Sequence, residues 1–410
     1  MPDFEILTPG EFVRRVGDTV SSKHRRSTYS SVQFAPTPVV PAPYALIVGA
    51  GFSAGVVPLV KELMYETIGD YLFFDQDQPS MERPAGALRK HSATVWSEVN
   101  AAARRRGASG VALDADGLPH DAGEAYRALF EIDDARVVFA RIPQPRRRST
   151  LLDRMVHARQ VARGGAPPRE EEVPEDGVEF VRGFLQYIVN PGSEHGHGST
   201  GRTDLNDAHV FLASILEAQQ TGTVGPFCRT ILTTNFDTLL QNALQMVNLL
   251  YRVTDRPESG FDAADLLAEE SAIHLVYVHG SILRHNPASS VGELSALSHR
   301  NANVLHEYLT TRDLITIGYG GWEDGLMTAL KKCENSNRLL YWCDVAPAPS
   351  ESLTAFLQSW GKNAKYVSLG SDGADALMAL LYRELVPATS ATRDPREREK
   401  AWRALNRPVG

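Results

Sequence analysis

The spacing of apolar residues divides this chain into strands and helices. Short, largely apolar runs at 44–48, 230–233, 273–278, 314–317, 339–343 and 365–368 have the character of strands buried on both faces. Between most of them the apolar spacing lengthens to the helical period, at 238–247, 324–332, 350–360 and 374–385. A further helical pattern covers about 58–72, where Pro58 suits a first turn. Apolar strands alternating with helices predict an α/β fold built on a doubly wound parallel sheet.

The pattern breaks between 75 and 203. Arg104-Arg105-Arg106, Arg146-Arg147-Arg148 and Glu170-Glu171-Glu172 stand there among helix-forming stretches, followed by a Gly/His/Ser segment at 190–201. A mostly helical insertion over 75–203 is expected, splitting one domain into 44–74 and 204–385. Pro36, Pro38, Pro41 and Pro43 close an N-terminal arm, 1–43. The polar, Arg-rich segment 386–410 reads as a C-terminal tail. No internal repeat is visible.

Composition narrows the function classes. With 410 residues, 43% hydrophobic and 22% charged, the chain can bury a large core, and wholesale disorder is excluded. A net charge of -8 argues against nucleic acid binding over the whole surface, leaving local basic patches or a partner as the route to it. Cys228, Cys333 and Cys343 are too few for a disulfide framework or a four-cysteine zinc site. The expected setting is the reducing cytoplasm. Met1–Gly10 carries Asp3 and Glu5 and has no apolar core, so no secretory leader is expected. The longest apolar stretch, 44–60, is interrupted by Gly49, Gly51, Gly55 and Pro58, which argues against a membrane span. His195-Gly196-His197, with His209 further on, lacks a metal-binding spacing, so no metal site is assigned.

Two patterns carry chemistry. Gly49-Ala50-Gly51-Phe52-Ser53-Ala54-Gly55 follows a buried strand and precedes a helix, the setting of a phosphate-binding turn. Gly49 would permit the turn and Gly51 a close approach of backbone to phosphate. Polar groups also recur just past successive strand ends: Asn235 and Asp237, then His279, then Trp322, Glu323 and Asp324 after Gly318. In open parallel sheets ligands sit at that edge. Each residue also has a structural reading: Asp237 can cap a helix, Trp322 can fill a core, and a single histidine is usually a satisfied one.

Taken in order, Gly49-Ala50-Gly51-Phe52-Ser53, Thr233-Thr234-Asn235-Phe236-Asp237 and His279-Gly280 resemble the motifs of the sirtuin superfamily. The resemblance covers about 44–74 and 230–385 and implies a Rossmann-like sheet that binds NAD+. Gly318 to Asp324 resembles bacterial sirtuin-like NAD-degrading proteins of antiphage systems. Two departures bear on activity. The chain reads Gly55-Val56-Val57-Pro58-Leu59-Val60-Lys61 where deacylases carry an Asp-Phe-Arg element, and its cysteines cannot form the deacylase zinc ribbon.

The resemblance implies an NAD+ glycohydrolase that releases nicotinamide and ADP-ribose and depletes NAD in abortive infection. Asn235 and His279 are its expected catalytic residues. Asp237 would orient the nicotinamide carboxamide, Phe52 cover the nicotinamide face, and Gly49, Ala50, Gly51 and Ser53 lie along the phosphates. Gly318, Trp322, Glu323 and Asp324 would line the adenosine half. A homo-oligomer controlled by a HerA-type hexameric ATPase is the expected assembly. The alternatives are an NAD-dependent protein deacylase and, in another class, a regulatory subunit that only binds NAD or ADP-ribose.

Overall fold

The computed structural model describes residues 4–30, 41–57, 65, 85–105, 110–122, 125, 205–235, 237–255, 272–279, 302–321, 324–387 and 394–405. The chain forms two compact units. One comprises Met1–Val57, Gly196–Ala288 and Gly292–Gly410, and the other Pro58–His195 and Ser289–Val291.

The first unit is built on one eight-stranded, all-parallel sheet. Its strands are β1 (Glu5–Leu7), β2 (Tyr44–Val48), β3 (Cys228–Thr233), β4 (Tyr251–Asp255), β5 (Ile273–Tyr277), β6 (Asp313–Ile317), β7 (Leu340–Asp344) and β8 (Ala364–Ser368). They lie in the order β1-β8-β7-β6-β2-β3-β5-β4. The six inner strands, starting at β2, follow the dinucleotide-binding order, with β2-β3-β5 as one half and β6-β7-β8 as the other. The order reverses between β2 and β6, the position at which such sheets open a ligand crevice.

Alternation along β2 feeds both helical layers. Tyr44, Leu46 and Val48 enter one core, and Ala45 and Ile47 enter the other. The first layer holds α1 (Pro9–Ser30), α3 (Asp207–Gln220), α4 (Leu239–Met246) and α7 (Gly373–Leu385). The second holds the helical residues 302–309, then α5 (Gly325–Lys332) and α6 (Glu351–Trp360). In the other unit, α2 (Ala85–Arg105) buries Val95, Trp96 and Val99, and its Asn100 bridges both ways to the backbone of Val111. The expected helix over 58–72 falls almost wholly outside the described residues.

Both ends of the chain depart from expectation. Part of the segment read as an arm is structural: β1 pairs in parallel with β8, and α1 packs on α7. Arg15 on α1 grips Glu5 with both terminal nitrogens, at 2.9 and 2.6 Å, which fixes strand to helix. The tail contains α8 (Pro395–Leu405), whose Arg396 pairs with Asp207 at 2.5 Å and whose Arg398 pairs with Glu217, both acids belonging to α3.

Candidate functional site

The Gly49–Gly55 turn stands at the order reversal. It is a short 3-10 turn, Ala50–Ser53, immediately past β2. Three of its amides donate to protein carbonyls: Gly49 N–H to Ile317 O at 3.1 Å, Gly51 N–H to Gly318 O at 3.0 Å and Phe52 N–H to Gly49 O at 2.9 Å. The glycines are needed for contact between two backbone turns. A Cβ on Gly51 would stand 2.8 Å from Gly318 Cα, and one on Gly318 would stand 2.5 Å from Gly51 C. Gly318 also has φ +66. The close approach expected between Gly51 and a phosphate is therefore made with the loop after β6. The turn is open to solvent at Ala50 and at Gly55.

Phe52 and Ser53 point inward, contrary to the roles expected of them. Phe52 is completely buried and meets the His209 ring edge-on at 5.0 Å, so it belongs to the core and not to a nicotinamide face. Ser53 is 1% exposed and is occupied by protein. Its Oγ lies 3.1 Å from Asp237 Oδ2, accepts from Asn235 Nδ2 at 3.0 Å and lies 3.4 Å from His209 Nε2. Asp237 Oδ1 accepts from Leu239 N–H, at the first residue of α4, at 3.0 Å. Burial pushes the Asp237 carboxyl above the usual range, against the pull of those donors.

Asn235 and His279 occupy matched positions. Thr233 and Tyr277 are register partners at the ends of β3 and β5, and Asn235 and His279 each lie two places beyond the end of their own strand. Val278 N–H donates to Thr233 O at 2.9 Å, extending the pairing to the rim. Asn235 is 9% exposed and the His279 side chain 19%, so they border the open edge while Ser53 and Asp237 sit deeper.

Asp324, expected to line the adenosine half, makes three protein contacts with its carboxylate. Its Oδ2 lies 3.3 Å from His279 Nε2. Its Oδ1 accepts from Met327 N–H at 2.7 Å, capping α5, and from Tyr319 OH at 2.7 Å. A carboxylate held by two donors thus faces the histidine. Trp322 and Glu323 lie outside the described residues.

Residues 229–364 match the family model of the SIR2-like domain. The SIR2-like segment takes in Asn235, Asp237, His279, Gly318 and Asp324, and it supports a sirtuin-like family whose domains use NAD+. No curated protein matches the chain. Among the described residues, no group of three or more His, Cys, Asp or Glu side chains converges as metal ligands, and His195 and His197 fall outside those residues. No helix of the described residues is long and apolar enough to cross a membrane.

Sequence reasoning missed two contributors to the site. Asn206 caps α3, accepting from His209 N–H at 3.2 Å, and its Nδ2 donates to Phe52 O at 2.7 Å, tying α3 to the glycine turn. His209 is 1% exposed, and burial holds its imidazole down to about 3. The available signal was Asn206-Asp207 ahead of a long apolar run, an N-cap pattern.

A pH dependence follows from His209. The unfolded ring takes up a proton near its ordinary 6.5, whereas the folded ring stays neutral down to about 3. Between those values the unfolded state binds more protons, so stability falls as pH falls. Asp237, shifted upward, contributes with the opposite sign. Urea midpoints measured from pH 7 to about pH 4 should therefore fall more steeply for the wild type than for His209→Gln.

Proposed function

We propose that the chain is an NAD+ glycohydrolase. The observation that carries this reading is the pairing of Asn235 and a carboxylate-backed His279 on registered strand ends, at the rim of a dinucleotide-type sheet. The reaction breaks the bond between ribose C1′ and the nicotinamide nitrogen, and the electron pair leaves with nicotinamide. Positive charge develops on the ribose, as in other glycosyl cleavages. Water adds to C1′ and gives up a proton.

Each rim residue has a task suited to its chemistry. His279 takes the proton from water or from a ribose hydroxyl, and Asp324 stabilises the charge that the ring then carries. Asn235 positions the ribose or the attacking water through an amide that adds no charge. Asp237 and Ser53 hold Asn235 from behind. Phosphate contacts fall to the open side of the glycine turn at Ala50.

Asp324→Asn separates the carboxylate's charge from its capping role, because asparagine caps helices as well as aspartate does. The variant should lower kcat by roughly ten- to a hundredfold with little change in KM or in urea midpoint. Steady-state nicotinamide release measures both constants. An unchanged kcat removes Asp324 from the mechanism.

The biological setting proposed for this activity is NAD depletion in antiphage defence, with homo-oligomer assembly and a HerA-type ATPase as its control. The resemblance of Gly318–Asp324 to sirtuin-like defence proteins supports it. Co-purification of the chain with the product of its chromosomal neighbour tests the partnership.

A further inference from the structure

The hydrogen bonds behind Asn235 are one proton short. Ser53 Oγ accepts from Asn235 Nδ2 and faces two further groups, Asp237 Oδ2 at 3.1 Å and His209 Nε2 at 3.4 Å. Ser53, His209 and Asp237 are each at most 4% exposed. The His209 tautomer follows from Asn206. The Nδ2 of Asn206 faces the carbonyls of Phe52, at 2.7 Å, and of Ala54, at 3.4 Å, and must therefore be the donating nitrogen. Its other atom, Oδ1, accepts from His209 N–H and also contacts His209 Nδ1. An oxygen there requires the ring proton on Nδ1. In the neutral ring, Nε2 is then a lone pair directed at Ser53.

A single serine hydroxyl cannot donate to both Asp237 and His209. An ionised Asp237 would leave the His209 lone pair without a donor and place an uncompensated charge in the interior. The groups that act on the Asp237 carboxyl are the Leu239 amide, the Ser53 hydroxyl, the Asn235 side-chain amide and its own backbone amide, none of them cationic. Isolated buried charge of this kind is costly and is usually removed by proton uptake.

We propose that Asp237, Ser53 and His209 hold one additional proton, resident on Asp237, so that Asp237 Oδ2 donates to Ser53 Oγ and Ser53 Oγ donates to His209 Nε2. Every junction is then filled and the cluster is neutral. Burial acts the same way at both ends, raising the carboxyl and lowering the imidazole. Among the described residues, a further titratable group against the cluster is Tyr277, which donates its OH to the Asp237 carbonyl at 2.9 Å and accepts from Gln241 Nε2 at 3.0 Å. Its phenol is pushed further up by burial and stays neutral. The chain keeps a Ser53 lone pair for the Asn235 N–H, which turns that amide nitrogen inward and leaves its carbonyl for a ligand hydroxyl. This last consequence rests on the glycohydrolase reading; the shared proton does not. His209 and Asn206 are positioning residues, acting through Ser53.

The test uses the full chain without NAD, near pH 7. Nitrogen-15 NMR of labelled histidine, with His209 assigned by its loss in His209→Gln, should report a neutral ring protonated on Nδ1. Infrared difference spectra between the wild type and Asp237→Asn should show the C=O stretch of a protonated carboxyl, present in the wild type and shifted in Ser53→Ala. A wild-type Asp237 signal made only of carboxylate stretches, or a His209 imidazolium, overturns the proposal. Because neither readout involves turnover, the shared proton and the glycohydrolase reading stand or fall separately.

Discussion

His279→Ala lowers NAD cleavage by roughly 10²–10⁴-fold, the range that general acid–base catalysis supplies. The fold should survive, since the side chain is 19% exposed and sits at a strand end. Asn235→Ala gives a loss of similar size for a different reason. It removes the group that positions the ribose or the water, and it leaves Ser53 without its amide donor. That second effect costs about 1–2 kcal/mol of stability. The two variants are therefore separable: nicotinamide release falls in both, while the urea midpoint shifts only in Asn235→Ala. Full turnover by either variant removes that residue from the catalytic assignment.

Gly318→Ala is the second large expectation, and it concerns the fold. The substitution meets two obstacles at once. A left-handed φ of +66 costs an alanine about 1–2 kcal/mol. Its Cβ would also stand 2.5 Å from Gly51 C and from Phe52 N, both backbone atoms that cannot rotate away. Forced displacement in a packed site adds about 1–3 kcal/mol. A total of about 2–5 kcal/mol is a large part of the stability of an ordinary domain. Gly222→Ala is the control, because it has φ +75 but nothing within 4 Å of the new Cβ. Urea denaturation should show only the φ cost of about 1–2 kcal/mol for Gly222→Ala and about twice that loss for Gly318→Ala. Equal losses would mean that the glycine turn and the loop after β6 do not press together as described.

The sequence made the inner sheet legible because burial on both faces requires uninterrupted apolar runs. Each of β2, β3, β5, β6, β7 and β8 was found that way, within two residues of its observed limits. The outer strands obey a different rule. In β1, Glu5 and Ile6 are exposed, and all five residues of β4 are only partly buried, so neither presents such a run. Helix α1 was hidden by its many polar residues, since only one narrow stripe, Phe12, Val13, Val16 and Val20, reaches the core.

The positions of Asn235 and His279 just past strand ends were legible for the same reason as the sheet. Side-chain direction was not legible. A Gly-Phe-Ser turn reads alike whether its serine faces a phosphate or a buried aspartate, and the tertiary fold turned Phe52 and Ser53 inward. Nor does sequence distance reveal that Asp324 meets His279.

The central claim is tested most directly by incubating the purified chain with NAD+, alone and with the product of its chromosomal neighbour, and following nicotinamide by chromatography. The expected result is equimolar nicotinamide and ADP-ribose from the wild type, and neither product from His279→Ala under the same conditions. NAD+ left intact under both conditions, or cleaved equally well by His279→Ala, would contradict it.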